Sequence, residues 1–203
     1  MGFLIIIAVP LAFAAYHLAM GKQVTGRTVV GPSHAVAGQD VSVVGIAQPW
    51  EQPELSKATN LPVLWSRAHY VSRTSTFSRS NSTGPPKLVG KTRTHFQVVD
   101  EQQPQVSIAV DSKRLREVKV RNRKGEGSAA SGRVEEKAVY PGDRVWLHGR
   151  LQDKGGYLGF GRGAVLHDQP PQTRARKHRT FALLGFAATG VAVVVAVAIQ
   201  LGG

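Results

Sequence analysis

The chain contains no cysteine, which removes disulfides, thiol nucleophiles and thiolate metal sites before any motif is weighed. Acid is scarce too: 13 Asp plus Glu stand against 26 Lys plus Arg, a formal charge of +13. Formal charge is missing altogether from two stretches, Phe3 to Met20 and Phe181 to Leu201. The whole cationic surplus therefore lies between them, where it favours anionic partners, either lipid headgroups or nucleic acid. With 203 residues in all, roughly 150 remain between the ends, enough for one domain with its own core.

The first stretch, FLIIIAVPLAFAAYHLAM, reaches roughly 27 Å as a helix, the thickness of a hydrocarbon core. Pro10 sits inside it, which membrane helices tolerate where neighbours satisfy the freed carbonyl. Only Met1 and Gly2 precede it, whereas a cleaved signal peptide opens with a basic region, so an uncleaved span over 3–20 is expected. The second stretch, FALLGFAATGVAVVVAVAIQL, predicts a span over 181–201 of about 31 Å. Its small residues four apart, such as Gly185 with Thr189, suit close helix packing but arise readily in any Ala- and Gly-rich helix. Lys22 and Arg27 follow the first stretch, and Arg174, Arg176, Lys177 and Arg179 fill a basic juxtamembrane segment over 171–180 before the second. These six residues are the expected contacts with anionic headgroups. By the positive-inside rule they place the middle domain in the cytoplasm and both termini outside.

From 21 to 170 the pattern is that of strands. Val41–Ala47, Leu61–Trp65, Phe96–Val99, Val106–Val110 and Arg144–His148 are short β-branched or aromatic runs bounded by Gly, Pro, Asp and Asn. A short helix over Ser112–Val118 is weakly marked, and Lys124–Gly132 reads as a flexible excursion. Pro141-Gly142-Asp143 predicts a tight turn, with proline fixing φ and glycine taking the positive φ of a type II turn. The strand after it should turn Val145 and Leu147 to one face and Trp146 and His148 to the other. Many short strands at such spacing predict an all-β soluble domain, a small OB-like barrel or a sandwich.

Nothing in the chain spells out catalysis. The seven histidines are scattered, without an i,i+3 or i,i+4 pair, so a metal site would need ligands from distant strands. Gly155–Gly163 lacks the following helix that a phosphate-binding loop requires and reads as a glycine-rich hairpin with Tyr157 and Phe160 near the barrel mouth. Glu135 and Glu136 are adjacent, so on a strand they face opposite ways and make a poor acid–base pair. Serines 72, 75, 78, 80 and 82 interleave with Arg67, Arg73 and Arg79 as on a long exposed strand or hairpin, with no nucleophile-elbow context. The run Lys113, Arg114, Arg116, Lys119, Arg121, Arg123 and Lys124 carries seven bases and one acid and is the candidate partner surface. On an OB-like barrel it would also suit single-stranded nucleic acid, with Trp65, Tyr70, Phe77, Phe96, Trp146, Tyr157 and Phe160 as candidate stacking groups.

Four segments in order carry a family resemblance: Val43-Val-Gly45-Ile-Ala-Gln-Pro49, Asn60-Leu-Pro-Val-Leu-Trp65, Thr94-His-Phe96-Gln-Val-Val-Asp100 and Glu135 to Leu151. With spans on either side, the arrangement resembles the GIDE or BAM (beside-a-membrane) domain. That domain occurs in prokaryotic membrane proteins and in the non-RING part of the mitochondrial E3 ubiquitin ligase mulan, or MAPL. The chain departs from the family in having Leu61-Pro-Val63 where a cysteine is often found. It also lacks the zinc-binding RING, which cannot be built without cysteine, so ubiquitin-ligase chemistry is disfavoured. The resemblance implies a membrane-anchored module that binds or scaffolds another protein without catalysis of its own. A membrane-tethered nucleic-acid-binding domain is the alternative.

Overall fold

The computed structural model describes residues 2–72, 87–120, 122–129 and 132–201. Helix α1 covers Gly2–Thr25. Strands β1 (Val29–Val30) and β2 (Asp40–Pro49) flank a 3-10 turn at Pro32–His34. Then come β3 (Glu54–Leu55), β4 (Pro62–Val63), β5 (Trp65–Ser72), β6 (Lys87–Arg93), β7 (His95–Val99) and β8 (Ser107–Asp111). The remaining strands are β9 (Glu117–Lys119), β10 (Asn122–Ala129), β11 (Gly132–Val139), β12 (Arg144–Asp153), β13 (Leu158–Phe160) and β14 (Val165–His167), and helix α2 spans Pro171–Leu201. The protein is thus mostly β, in two compact units. One holds the terminal segments 1–28 and 169–203, and the other is Val29–Asp168.

Five strands of the β unit close a barrel, because β2 pairs with β7, β7 with β8, β8 with β13, β13 with β12, and β12 returns to β2. The β8–β13 contact is parallel and the other four are antiparallel. The interior is filled by alternate residues of these strands, among them Val43, Phe96, Val98, Ile108, Val110, Val145, Leu147 and Leu151. Each such side chain contributes about 1.5–3 kcal/mol relative to remaining exposed. Val145 and Leu147 point inward while Trp146 and His148 stay half-exposed, as strand periodicity requires. Gly45 stands where β2 exchanges neighbours. It pairs with Val145 on β12, and a Cβ there would come within 2.7 Å of Val98 Cγ1 on β7. Gly142 has φ +89° in a turn whose Asp143 N–H bonds the Tyr140 carbonyl at 3.1 Å. This is the conformation expected of Pro141-Gly142-Asp143.

A second sheet, in the order β10–β11–β5–β6, is assembled from two excursions out of the barrel. The β5–β6 pair lies in the connection between β2 and β7, and β10–β11 in that between β8 and β12. Its buried face carries Ser66, Ala68, Thr92, Glu136 and Ala138. Two expectations change here. The Lys124–Gly132 excursion contributes strand residues, because β11 pairs along all of β5 and offers β10 an edge. Ser112–Val118 holds a turn and the start of β9 in place of a helix.

The terminal unit is an antiparallel helix pair. Gly185 of α2 abuts Ala14 of α1, where an added Cβ would meet the Ala14 Cβ at 2.9 Å. At the other end Gly21 lies against His178, and between these points His17 and His178 bring their Nδ1 atoms to 3.0 Å. Phe13 and Phe181 meet edge-on alongside. Among the described residues one helix, over Pro171–Ile199, is long and apolar enough to cross a membrane. The expected pair of spans is therefore reduced here to one. The 171–180 segment expected as a separate juxtamembrane stretch forms the first turns of α2, opened by Pro171 at a position where its missing N–H costs nothing.

Candidate functional site

The barrel opens on one side into a cleft of about 340 Å³. Its floor is made by β7, β8 and β13 through Phe96, Ala109 and Phe160, and its rim by the segments that leave β2 and join β12 to β13. Trp50 follows directly on β2, and Tyr157 comes from the glycine-rich β12–β13 turn. Their rings lie 5.7 Å apart at 52°, and both remain about half exposed, at 47 and 49 %. Two large aromatic rings held together at an opening form an apolar rim of the kind that anchors partners.

Charge around the cleft is balanced. Asp111 receives Arg114 at 3.1 Å and faces His95 across the β7–β8 ladder at 3.6 Å. Glu51 and Lys154 complete the rim, and Lys154 Nζ donates to Gln152 at 2.7 Å. Two carboxylates thus stand against two permanent cations and one imidazole. Such a site offers hydrogen-bond donors and acceptors to a zwitterionic or neutral ligand and has no excess field for a polyanion. Its volume is at the lower end for small-ligand sites and suits one or two side chains of a polypeptide.

Two buried polar clusters compete for the name of active site. Ser42 Oγ and His148 Nδ1 are 3.0 Å apart on directly opposed residues of β2 and β12, with the His167 ring 6.1 Å from that of His148. Ser42 is 1 % exposed, so no substrate carbonyl reaches its hydroxyl, and the pair serves as a cross-strand hydrogen bond. Glu136 is fully buried. It accepts from Ser56 Oγ, from Thr59 Oγ1 at 2.9 Å and from the Tyr140 hydroxyl at 3.4 Å. Ser56 Oγ in turn accepts from the N–H groups of Ala58 and Thr59. This network seats the 56–59 turn on the second sheet and leaves its carboxylate saturated. Glu135, half-exposed on the opposite face, is no partner for it, as strand alternation requires.

The six bases that flank the two apolar stretches gather at one end of the helix pair, because Gly21 packs against Ala175 and His178. Lys22, Arg176, Lys177 and Arg179 are exposed there, while Arg27 and Arg174 are half-buried. The 113–124 run is dispersed. Lys113, Arg114 and Arg116 lie in the segment after β8, Lys119 in β9, and Arg123 and Lys124 in β10. Arg121 is outside the described residues. Arg114 is paired to Asp111 and Lys119 to Glu117, so the run forms no uniform cationic face. Of the proposed stacking groups, Trp65, Phe96 and Phe160 are in the core, Tyr157 is at the cleft, and Phe77 is outside the described residues together with Arg73, Arg79 and the serines from 75 onward. Trp50, the cleft's other ring, escaped the sequence reading because nothing local joins it to a tyrosine 107 positions away. Among the described residues no three His, Cys, Asp or Glu side chains converge as a metal site. Comparisons with family models, with curated proteins and with solved structures find no match for this chain.

Proposed function

We propose that this chain is a membrane-anchored binding module, without catalytic chemistry of its own, that holds a segment of another protein in the Trp50–Tyr157 cleft. The observation that carries this reading is the half-exposed aromatic pair at a charge-balanced opening. An unpaired apolar rim of this sort gains most when covered, and the mixed charge below it matches the alternating polarity of a polypeptide. We read the barrel as OB-like: its five strands close in the order first, second, third, fifth, fourth, with the third and fifth parallel. The cleft then falls on the face and between the loops that such barrels use for ligands. The GIDE or BAM resemblance agrees with a binding role beside a membrane. In this reading α1 is a second span, and the basic residues beside the helices hold the β unit on the cytoplasmic side.

The position of the cleft also favours a second reading, a single-stranded nucleic acid stacked on Trp50 and Tyr157. One experiment separates the two. A photo-crosslinking residue replaces Tyr157 in the full chain in its membrane, with the same residue at exposed Val36 as control. Adducts of one discrete mass that are protease-sensitive, confined to position 157 and abolished by Trp50→Ala support the protein-binding module. Nuclease-sensitive adducts transfer the assignment to nucleic acid, and equal labelling from both positions defeats both readings.

A further inference from the structure

We propose that the outer face of the β10–β11–β5–β6 sheet docks on the anionic headgroups of a lipid bilayer through a row of three cations, Lys137, Arg67 and Lys91. The row is fixed by register. Lys137 stands directly opposite Arg67, and Arg67 directly opposite Lys91, so three positive side chains cross three adjacent strands at the strand spacing of about 4.8 Å. All three are exposed. Like charges placed directly opposite one another destabilise a sheet. The ion pairs of Asp111, Glu101 and Glu117 lie away from this row, and one half-exposed carboxylate, Glu135, stands beside it on the same face, opposite His69. The repulsion is felt, since burial and then the charges of Arg93 and Arg67 pull the Lys91 ammonium below its ordinary pKa. Arg93 extends the same face opposite Trp65, and its Nε is buried without a hydrogen-bond acceptor among the described residues. An array of phosphates laid across the three exposed cations would relieve their mutual repulsion.

A bilayer fits better than a nucleic acid. Among the described residues this face presents no exposed aromatic ring for base stacking: Trp65 is in the core, and Tyr70 alternates to the other side. What stands beside the cations is Leu88, 50 % exposed and opposite His69. An apolar side chain next to a row of cations matches the boundary between headgroups and acyl chains. The chain also carries in α2 a helix long and apolar enough to cross a membrane, and a tether of this kind converts weak headgroup contacts into a local equilibrium at high effective concentration.

The absence of cysteine makes a single labelled position unambiguous. The full chain is reconstituted in nanodiscs with a fluorophore on Leu88→Cys, or on Val36→Cys as control, and quenching by a nitroxide-headgroup lipid is measured. With phosphatidylglycerol present, the label at 88 is quenched, the label at 36 is not, and about 0.5 M salt reverses the effect. Each of R67Q, K91Q and K137Q lowers the docked-to-free ratio about fivefold, the loss of one surface cation. Near-UV circular dichroism of the tryptophans shows whether each variant keeps its fold, and any one folded variant suffices. Quenching that is equal in phosphatidylcholine alone, or unchanged in a folded variant, overturns the proposal. So does a variant whose lipid contact persists while its affinity for a single-stranded oligonucleotide collapses.

Discussion

Asp100 Oδ2 accepts two hydrogen bonds from Ser33, one from the backbone N–H at 3.0 Å and one from the hydroxyl at 2.6 Å. The other carboxylate oxygen takes the N–H groups of Gln102 and Gln103. One buried side chain thereby pins the 3-10 turn at Pro32–His34 to the end of β7 and shapes the chain's path from β7 to β8. These bonds, led by those of Ser33, hold the Asp100 carboxyl far below the usual carboxylate range.

A depressed folded-state pKa adds stability that is present above the unfolded value of about 3.9 and lost as pH falls through the folded one. Asp100→Asn should therefore destabilise the β unit by about 2–3 kcal/mol at neutral pH, the scale of hydrogen bonds to a charged acceptor. The deficit relative to wild type should shrink steadily below about pH 4. Denaturant melts of the full chain in detergent, followed by tryptophan circular dichroism from pH 7 to pH 3, measure it. A deficit independent of pH would refute the assignment.

At Gly45 the constraint is steric. A valine there would drive its Cβ into the Val98 side chain and the Val99 carbonyl, at the point where β2 passes from one barrel neighbour to the other. Gly45→Val should cost more than about 3 kcal/mol, above the ordinary range for overpacking because backbone is involved. Serine at Gly142, where the turn only needs positive φ and an added Cβ meets nothing within 4 Å, should cost about 1 kcal/mol. Thermal melts of the two variants should rank them in that order.

The helix pair is open to a covalent test. The added Cβ of residue 21 would lie 3.5 Å from the Cβ of residue 178, within disulfide reach. Gly21→Cys with His178→Cys should form an intramolecular disulfide on mild oxidation, read as a gel shift on reduction, with no competing thiol in the chain. Adding Gly185→Ile, which intrudes on Ala14, should lower the yield several-fold through looser packing. Unchanged yield would mean that the Gly185 contact does not hold the pair together.

What the sequence made legible was local. The strands around Val43, Phe96, Ile108 and Val145 announce themselves by alternation, and the turn at Gly142 by its proline and glycine. Relations across the ladder were not legible. Lys137, Arg67 and Lys91 are scattered over 71 positions and become a row only through register, which no single strand encodes. The Trp50–Tyr157 rim needs the barrel closed before its rings meet. Lys124–Gly132 reads as a flexible loop because its glycines and small residues carry little strand propensity. Its pairing comes from the edge that β5 offers. The histidines, scattered in sequence, form the His17–His178 and His148–His167 neighbours only once helices and strands are assembled.

Closure of the barrel between β2 and β12 has a consequence for biosynthesis. Residues 40–49 find their second partner only when residues 144–153 have left the ribosome, about 100 positions and several seconds later at the usual elongation rates. During that interval a strand carrying Val41, Val43 and Ala47, all destined for the core, presents an open edge able to pair with any neighbouring chain. Yield of the folded protein should therefore depend on nascent-chain protection more than final stability suggests. Slowing translation between β2 and β12 should deplete the folded protein in favour of aggregate.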